Sequence, residues 1–310
     1  MLGLWRLFLG DAQAHPGIAP ILEVSDYSQL PDAPPGAWID WGLHPSTIAG
    51  TAAMAAFYFY AMGPLRERWG LTQEATSGQK WRMVAAMLVI VVCLNGPLHH
   101  VADNYLFSVH MVQHLLLTLV MPMLFIRAWP DWFFTALFNR SPNLLSFAKL
   151  VTLPVPAFLL YNGILGLWHI PAFYNHTMES HPVHIAEHLM FMVTAVICWW
   201  PVVGTAKELQ SLQHFGKIVY LVVLGVPMKA LGAIITMAND VLYTWYAHVP
   251  RMWGIDPLYD QRIGGIIMWV PAGFIVWGSI GVIFVRWYRE EAGSRSTPAN
   301  RPRPVPRPLG

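Results

Sequence analysis

Charge is scarce in this chain: 12% of its 310 residues are Asp, Glu, Lys or Arg, against 55% hydrophobic, and the mean hydropathy is +0.43. That balance excludes an ordinary soluble domain. Cysteine is nearly absent too. Cys93 and Cys198 both fall inside apolar runs, where a thiol behaves as a small hydrophobe, so there is neither a disulfide framework nor a cysteine metal motif. A net charge of +2 leaves no basic surface for nucleic acid. No repeat of about 20–50 residues is present.

Apolar stretches are abundant. Runs of about 20 residues cross a hydrocarbon core of about 30 Å, and they recur near 46–65, 80–98, 109–127, 147–167, 184–204, 217–237 and 264–286. The chain therefore reads as all-α, a polytopic membrane protein with a seven-transmembrane-helix bundle over 46–288. Pro122, Pro154, Pro156, Pro227 and Pro271 predict kinks within it.

Lys and Arg collect on the cytoplasmic side of membrane proteins. With the N-terminus outside and the C-terminus cytoplasmic, the inner loops hold Arg66, Arg68, Lys80, Arg82, Arg127, Arg140, Lys149, Lys207, Lys217, Arg286 and Arg289. The outer side keeps Arg6, Arg251 and Arg262. Residues 1–45 form an extracytoplasmic segment whose start resembles a shortened secretory signal interrupted by Arg6. Residues 289–310 read as a disordered cytoplasmic Arg/Pro tail. A short interfacial helix is expected over 130–138. Tyr243, Trp245, Tyr246, Trp253 and Tyr259 in the last outer loop suit headgroup depth. Lys229 lies near the middle of the sixth span and needs a partner or a watery cavity; Asp240 or Asp260 reaches it only if the helix ends fold inward.

Under this topology twelve of the thirteen histidines lie on or near the outer side, and His214 alone is in an inner loop. Two pairs, His110-Met-Val-Gln-His114 and His184-Ile-Ala-Glu-His188, open the third and fifth spans. Residues four apart share one helix face, so each pair can offer two imidazoles to one ion. His99 and His100 end the second span, His169 follows the fourth, and His248 lies in the last outer loop. Gln113 and Glu187 sit beside the deeper histidine of each pair, and Asp103 lies in the loop before the third span. These three suit holding ring N–H groups or completing a coordination sphere. Nitrogen-rich donors favour copper or zinc over magnesium or calcium, and Met111, Met178, Met190 and Met192 add thioethers nearby. His15, His44, His176 and His181 read as isolated polar tips.

Two rival chemistries fit parts of the pattern. His184-x-x-Glu187-His188 matches the inverted zinc-protease motif, but the first pair carries Gln113 in the corresponding place; a multi-histidine zinc hydrolase of lipids is the stronger form of that idea. Paired histidines on facing helices can also clamp a haem axially, which would make the chain an electron carrier.

Several motifs together resemble one family. They are Asn95-Gly-Pro-Leu98, Phe107-Ser-Val-His-Met-Val-Gln-His-Leu-Leu-Leu117, Trp168-His-Ile-Pro171 with Tyr174, His184-Ile-Ala-Glu-His188 with Trp199-Trp-Pro201, and Asp260 to Gly265 leading to Met268-Trp-Val-Pro271. In these the chain resembles the CtaG-type cytochrome c oxidase assembly factors associated with caa-type oxidases, over roughly 46–288. The resemblance implies a multi-pass protein of the bacterial cytoplasmic membrane that helps mature a haem-copper oxidase at the copper stage, without catalysis of its own. The expectation is that copper arrives from an extracytoplasmic donor and is held by His110, His114, His184 and His188. It then passes laterally, within the lipid bilayer, to a nascent oxidase subunit. His99, His100, His169 and His248 would serve its arrival and departure, with Gln113, Glu187 and Asp103 in support.

Overall fold

The computed structural model describes residues 30–209 and 211–296. The signal-like start and the Arg/Pro stretch beyond Ser296 lie outside them. Among the described residues the architecture is all-helical, with one isolated β-bridge between Asp32 and Arg251. Its helices are α1 (Pro45–Arg68), α2 (Ser77–Leu94), α3 (Gly96–Asn104), α4 (Phe107–Ala128), α5 (Asp131–Arg140), α6 (Pro142–Val151), α7 (Pro154–Trp168), α8 (Pro171–Glu179), α9 (His181–Val203), α10 (His214–Met237) and α11 (Pro257–Ser296). Of these, α1, α2, α4, α9, α10 and α11 are each long and apolar enough to cross a membrane, and α6 with α7 makes a seventh crossing if the bent pair is one span.

The breaks fall where the sequence forces them. The expected fourth span bends by 69° between α6 and α7, because Pro154 and Pro156 have no N–H for a continuing ladder. The second span was expected to run to residue 98, and it stops at Leu94. Asn95 is extended and Gly96 takes φ 70°, a left-handed conformation that favours glycine. The chain restarts as α3 with Pro97 in its first turn, which suits a ring that pre-sets φ. A Cβ at Gly96 would also press on the Trp41 ring at 2.9 Å. This break carries His99 and Asp103 on a separate short helix, α3, instead of on the end of a span.

The core sits around α4. It packs against α2, α3, α9 and α11, while α1 leans on α2, α7 joins α9 to α10, and α10 pairs with α11. The apolar stretches of α4 and α9 are each 56% buried, that of α1 only 17%. One of the hydrogen bonds between the two central helices answers a gap in the α4 ladder. Pro122 has no N–H for the Thr118 carbonyl, the helix widens to a π-turn over Leu116–Val120, and the Trp199 indole donates to that carbonyl at 3.0 Å.

At one end of this bundle lie the starts of α4 and α9, the short helix α3 and the end of α7, which carry the histidines. The opposite end carries Arg127, Lys217 and Arg286, which line a common cavity with His214. Lys229, on α10, lies 5.7 Å from the Trp277 ring centroid on α11, a cation–π contact. Asp260 instead accepts from the Phe107 and Ser108 backbone N–H groups, at 2.7 and 3.3 Å. It thereby caps the start of α4 from another helix. A helix does form where a short one was expected, as α5, Asp131–Arg140. The aromatic loop departs from expectation: Tyr243 and Tyr246 are buried against the histidine end, and only Trp253 and Tyr259 are strongly exposed.

Candidate metal centre

Helical phase and short-helix placement bring four elements to one point. On α4 the i, i+4 spacing stacks His110 over His114, and on α9 it stacks His184 over His188. Because α4 and α9 pack together, the pairs face each other: the His110 and His184 rings lie 5.6 Å apart at 14°, the His114 and His188 rings 5.1 Å apart. All four are buried. Ligand atoms of His110, His184 and His188 fall within 4.8 Å of one another, as do those of His110, His114 and Glu187. His110, fully buried, belongs to both groups.

Around this core, acidic and amide groups fix the rings. Asp103 on α3 reaches His99 Nε2 at 3.3 Å, His184 Nδ1 at 3.5 Å and His110 Nδ1 at 3.6 Å. Burial by itself would raise its carboxyl, but the adjacent His99, His184 and His110 rings hold it well below the usual carboxylate range. It is an anion among imidazoles. The Gln113 amide nitrogen lies 3.3 Å from His99 Nδ1 and 3.1 Å from His188 Nε2, so one NH₂ bridges two helices. If that nitrogen donates to both, as the amide is oriented here, His99 Nδ1 is an acceptor and its Nε2–H faces Asp103. Both His99 nitrogens are then engaged, which makes it a positioning ring more than a free ligand.

The sequence-nominated residues divide plainly. His110, His114, His184, His188, Glu187, Gln113, Asp103 and His99 come together. His169, buried at the end of α7, donates its Nδ1–H to the Leu165 carbonyl, 2.8 Å away, and leaves Nε2 unpartnered. Burial takes its pKa down to about 4, against the opposing pull of that carbonyl, so it is neutral at ordinary pH. His100 turns away toward Asp40, 3.7 Å off, and His248 closes its own turn on the Thr244 carbonyl at 2.7 Å. Neither joins the cluster. His44 and His181, read from sequence as isolated tips, instead stand beside it: the His44 ring is 4.4 Å from His99 and 5.3 Å from His181. Their shared depth, just before α1 and at the start of α9, is the signal that could have found them.

Aromatic residues shut the site on its far side. Tyr174 lies against His110 at 5.5 Å, its hydroxyl is 3.1 Å from that of Tyr246, and Tyr246 donates to the Ala102 carbonyl. The Trp245 indole donates to the carbonyl of Asp103 at 2.8 Å. The loop before α11 thus clamps α3 by its backbone, which holds the Asp103 carboxylate in register with three rings.

Several buried polar atoms have no protein partner, among them His184 Nε2, His110 Nδ1, Asp103 Oδ1 and Glu187 Oε2. Unpaired buried polar atoms are costly, and so many at one point fit a cation that would take up their lone pairs. Neutral imidazole nitrogens with two carboxylates are a donor set for a borderline transition metal. Fold and site together define a polytopic helical membrane protein with a buried histidine–carboxylate cluster.

Residues 56–290 match the family described as Cytochrome c oxidase caa3 assembly factor (Caa3_CtaG), and the chain belongs to that family. It is 23% identical, over 93% of its length, to an uncharacterized protein of Mycobacterium bovis and to one of Mycobacterium tuberculosis. It is 22% identical, over 79% of its length, to one of Mycobacterium leprae. The matched part is 43% of the first two relatives and 39% of the third, so the chain spans less than half the length of the curated relatives it matches. No solved structure matches it.

Proposed function

We propose that this chain binds copper at the histidine cluster and delivers it to a nascent subunit of a haem-copper cytochrome c oxidase. The observation that carries the reading is His110, a buried ring shared by two three-residue groups, each with ligand atoms within 4.8 Å. Two overlapping groups provide adjacent resting places for one ion, so it can move by exchanging one ligand at a time. Chelation by a single closed cage would hold it instead. Membership in an oxidase assembly family supplies the client class.

The protein lies in the bacterial cytoplasmic membrane with the histidine end outward. The collection of Arg127, Lys217 and Arg286 at the opposite end favours that orientation. An extracytoplasmic donor supplies the copper and the oxidase subunit takes it. Nitrogen donors favour copper or zinc, and the thioethers of Met54, Met121 and Met192, which line a cavity together with His184 and His188, tilt the choice toward Cu(I). Glu187 sits among the ligand atoms of His110 and His114, a place suited to coordination more than to proton abstraction from a water. This favours a carrier over a zinc hydrolase. The closely spaced rings leave no slot for a porphyrin between them, which weighs against haem.

The test is a strain lacking this protein, complemented with His114→Ala or His188→Ala. Copper bound to the purified variants and oxidase activity should fall together while membrane insertion is unchanged. Normal oxidase assembly with both variants refutes the proposal.

A further inference from the structure

A cavity of about 510 Å³ opens between α1 and α9, and five imidazoles line it: His44, His99, His181, His184 and His188. Three of these, His99, His184 and His188, belong to the buried cluster, and the other two, His44 and His181, stand beside it. His44 and His181 are half-buried, His99 is 6% exposed, and His184 and His188 are 3% and 4% exposed. Burial therefore deepens from His44 and His181 inward along one continuous wall. The His44 and His181 rings are stacked at 5.3 Å, and His44 meets the face or edge of His99 at 4.4 Å in a T-shape. His99 itself is fixed by Asp103 and Gln113.

The backbone at His44 is held as firmly as its ring. Its N–H donates to the Asn95 side-chain oxygen at 2.8 Å, and Gly96 N–H donates to the Gly42 carbonyl at 3.0 Å. The same break that releases α3 thus pins the start of α1 over the cavity. His184, which also lines this cavity, keeps a buried Nε2 without a hydrogen-bond partner.

We propose that His44 and His181 form a second metal station at the mouth of this cavity, which captures a soft or borderline transition-metal ion and passes it to His184 and His188. The proposal rests on the metal-binding reading above. In the transfer, bonds from the ion to His184 and His188 nitrogens form as its bonds to His44 and His181 nitrogens break. Neutral imidazole replaces neutral imidazole, so no electron or proton changes hands. His99 is a positioning residue, which presents His44 toward the inner rings. The methionines Met54, Met121 and Met192 on the remaining wall suit Cu(I) in particular.

The probe is Cu(I) supplied from a coloured chelator complex to the purified full-length protein in lipid nanodiscs, with release of the chelator followed in time. Wild-type protein should take up a chelator-resistant equivalent and a readily removed one. The double variant His44→Ala/His181→Ala should lose the readily removed equivalent and fill the resistant site at least about tenfold more slowly, a loss of the size seen when supporting groups at metal sites are deleted. The polar pair His44→Gln/His181→Gln should behave the same way, which separates lost ligation from lost packing. His176→Ala, at an exposed ring beside Glu179, should load like wild type. Wild-type rate and stoichiometry in both double variants overturn the outer station and leave the inner site standing. Failure of the wild-type protein to take up any Cu(I) overturns the proposed function together with the station.

Discussion

His110 and His114 face each other through their Nε2 atoms at 2.6 Å, one helical turn apart on α4. In the absence of an ion this contact is a hydrogen bond, with the Nε2–H of one neutral ring donating to the Nε2 lone pair of the other. A metal ion bound beside the pair would take the place of that shared proton. The contact also follows from the i, i+4 spacing, which places the two imidazoles as neighbours on one helix face.

His110→Ala should therefore remove more metal affinity than any other single histidine change. It disables both ligand groups at once, whereas His114→Ala and His188→Ala each spare one. Copper content after dialysis against a competing chelator measures it. The expected order is His110→Ala lowest, then His114→Ala and His188→Ala, with His100→Ala and His248→Ala near wild type, since those two rings point elsewhere.

Asp103→Asn keeps the shape of the side chain and removes its charge. It should cost about 10–100-fold in metal affinity, because one carboxylate orients His99, His184 and His110 together. Equilibrium titration with a metal indicator checks this, and unchanged helical circular dichroism shows that the fold is kept. An affinity equal to wild type would mean that the three rings are held by packing alone.

Trp199→Phe tests the tie between the two helices that carry the pairs. The variant keeps an aromatic ring but leaves the Thr118 carbonyl without the donor that Pro122 already lacks. An orphaned buried acceptor costs about 1–3 kcal/mol. The midpoint of thermal unfolding in detergent should fall, and the fall should shrink when copper is bound, because a ligand held by both α4 and α9 stabilises their contact.

Gly265→Ala probes a tight helix contact on the other side of α4. A Cβ at this position would meet the Thr236 backbone nitrogen at 2.7 Å and the Gly232 carbonyl at 2.8 Å, so α10 and α11 must part. Close approach through small residues is a usual basis of helix association in membranes. The variant should lose about 1–3 kcal/mol of stability, read as a lower unfolding midpoint, while Gly278→Ala, where a Cβ meets open space, should not.

How much of this could be read from the residues alone differs between fold and site. The apolar runs gave spans near their observed places, and the proline pair at Pro154 and Pro156 marked the bend of the fourth. The restart at Gly96 was not legible, because Asn95-Gly-Pro97 sits within an otherwise continuous apolar pattern, and only the left-handed φ of Gly96 separates α3 from α2. The i, i+4 pairs on α4 and α9 were visible as periodicity, since both histidines of each pair lie on one helix. His44 and His181 were not, since each stands alone in sequence and acquires its neighbours only when α1, α3 and α9 converge. Asp103 could be nominated by position, but its contact with three rings depends on a clamp built by Trp245 and Tyr246, over 140 residues away.

Copper K-edge X-ray absorption of the purified protein after loading with Cu(I) tests the central claim most directly. A first shell dominated by nitrogen, with the multiple-scattering pattern of several imidazoles, is the predicted result. A protein that retains no copper after loading, or a first shell without an imidazole signature, would contradict the account.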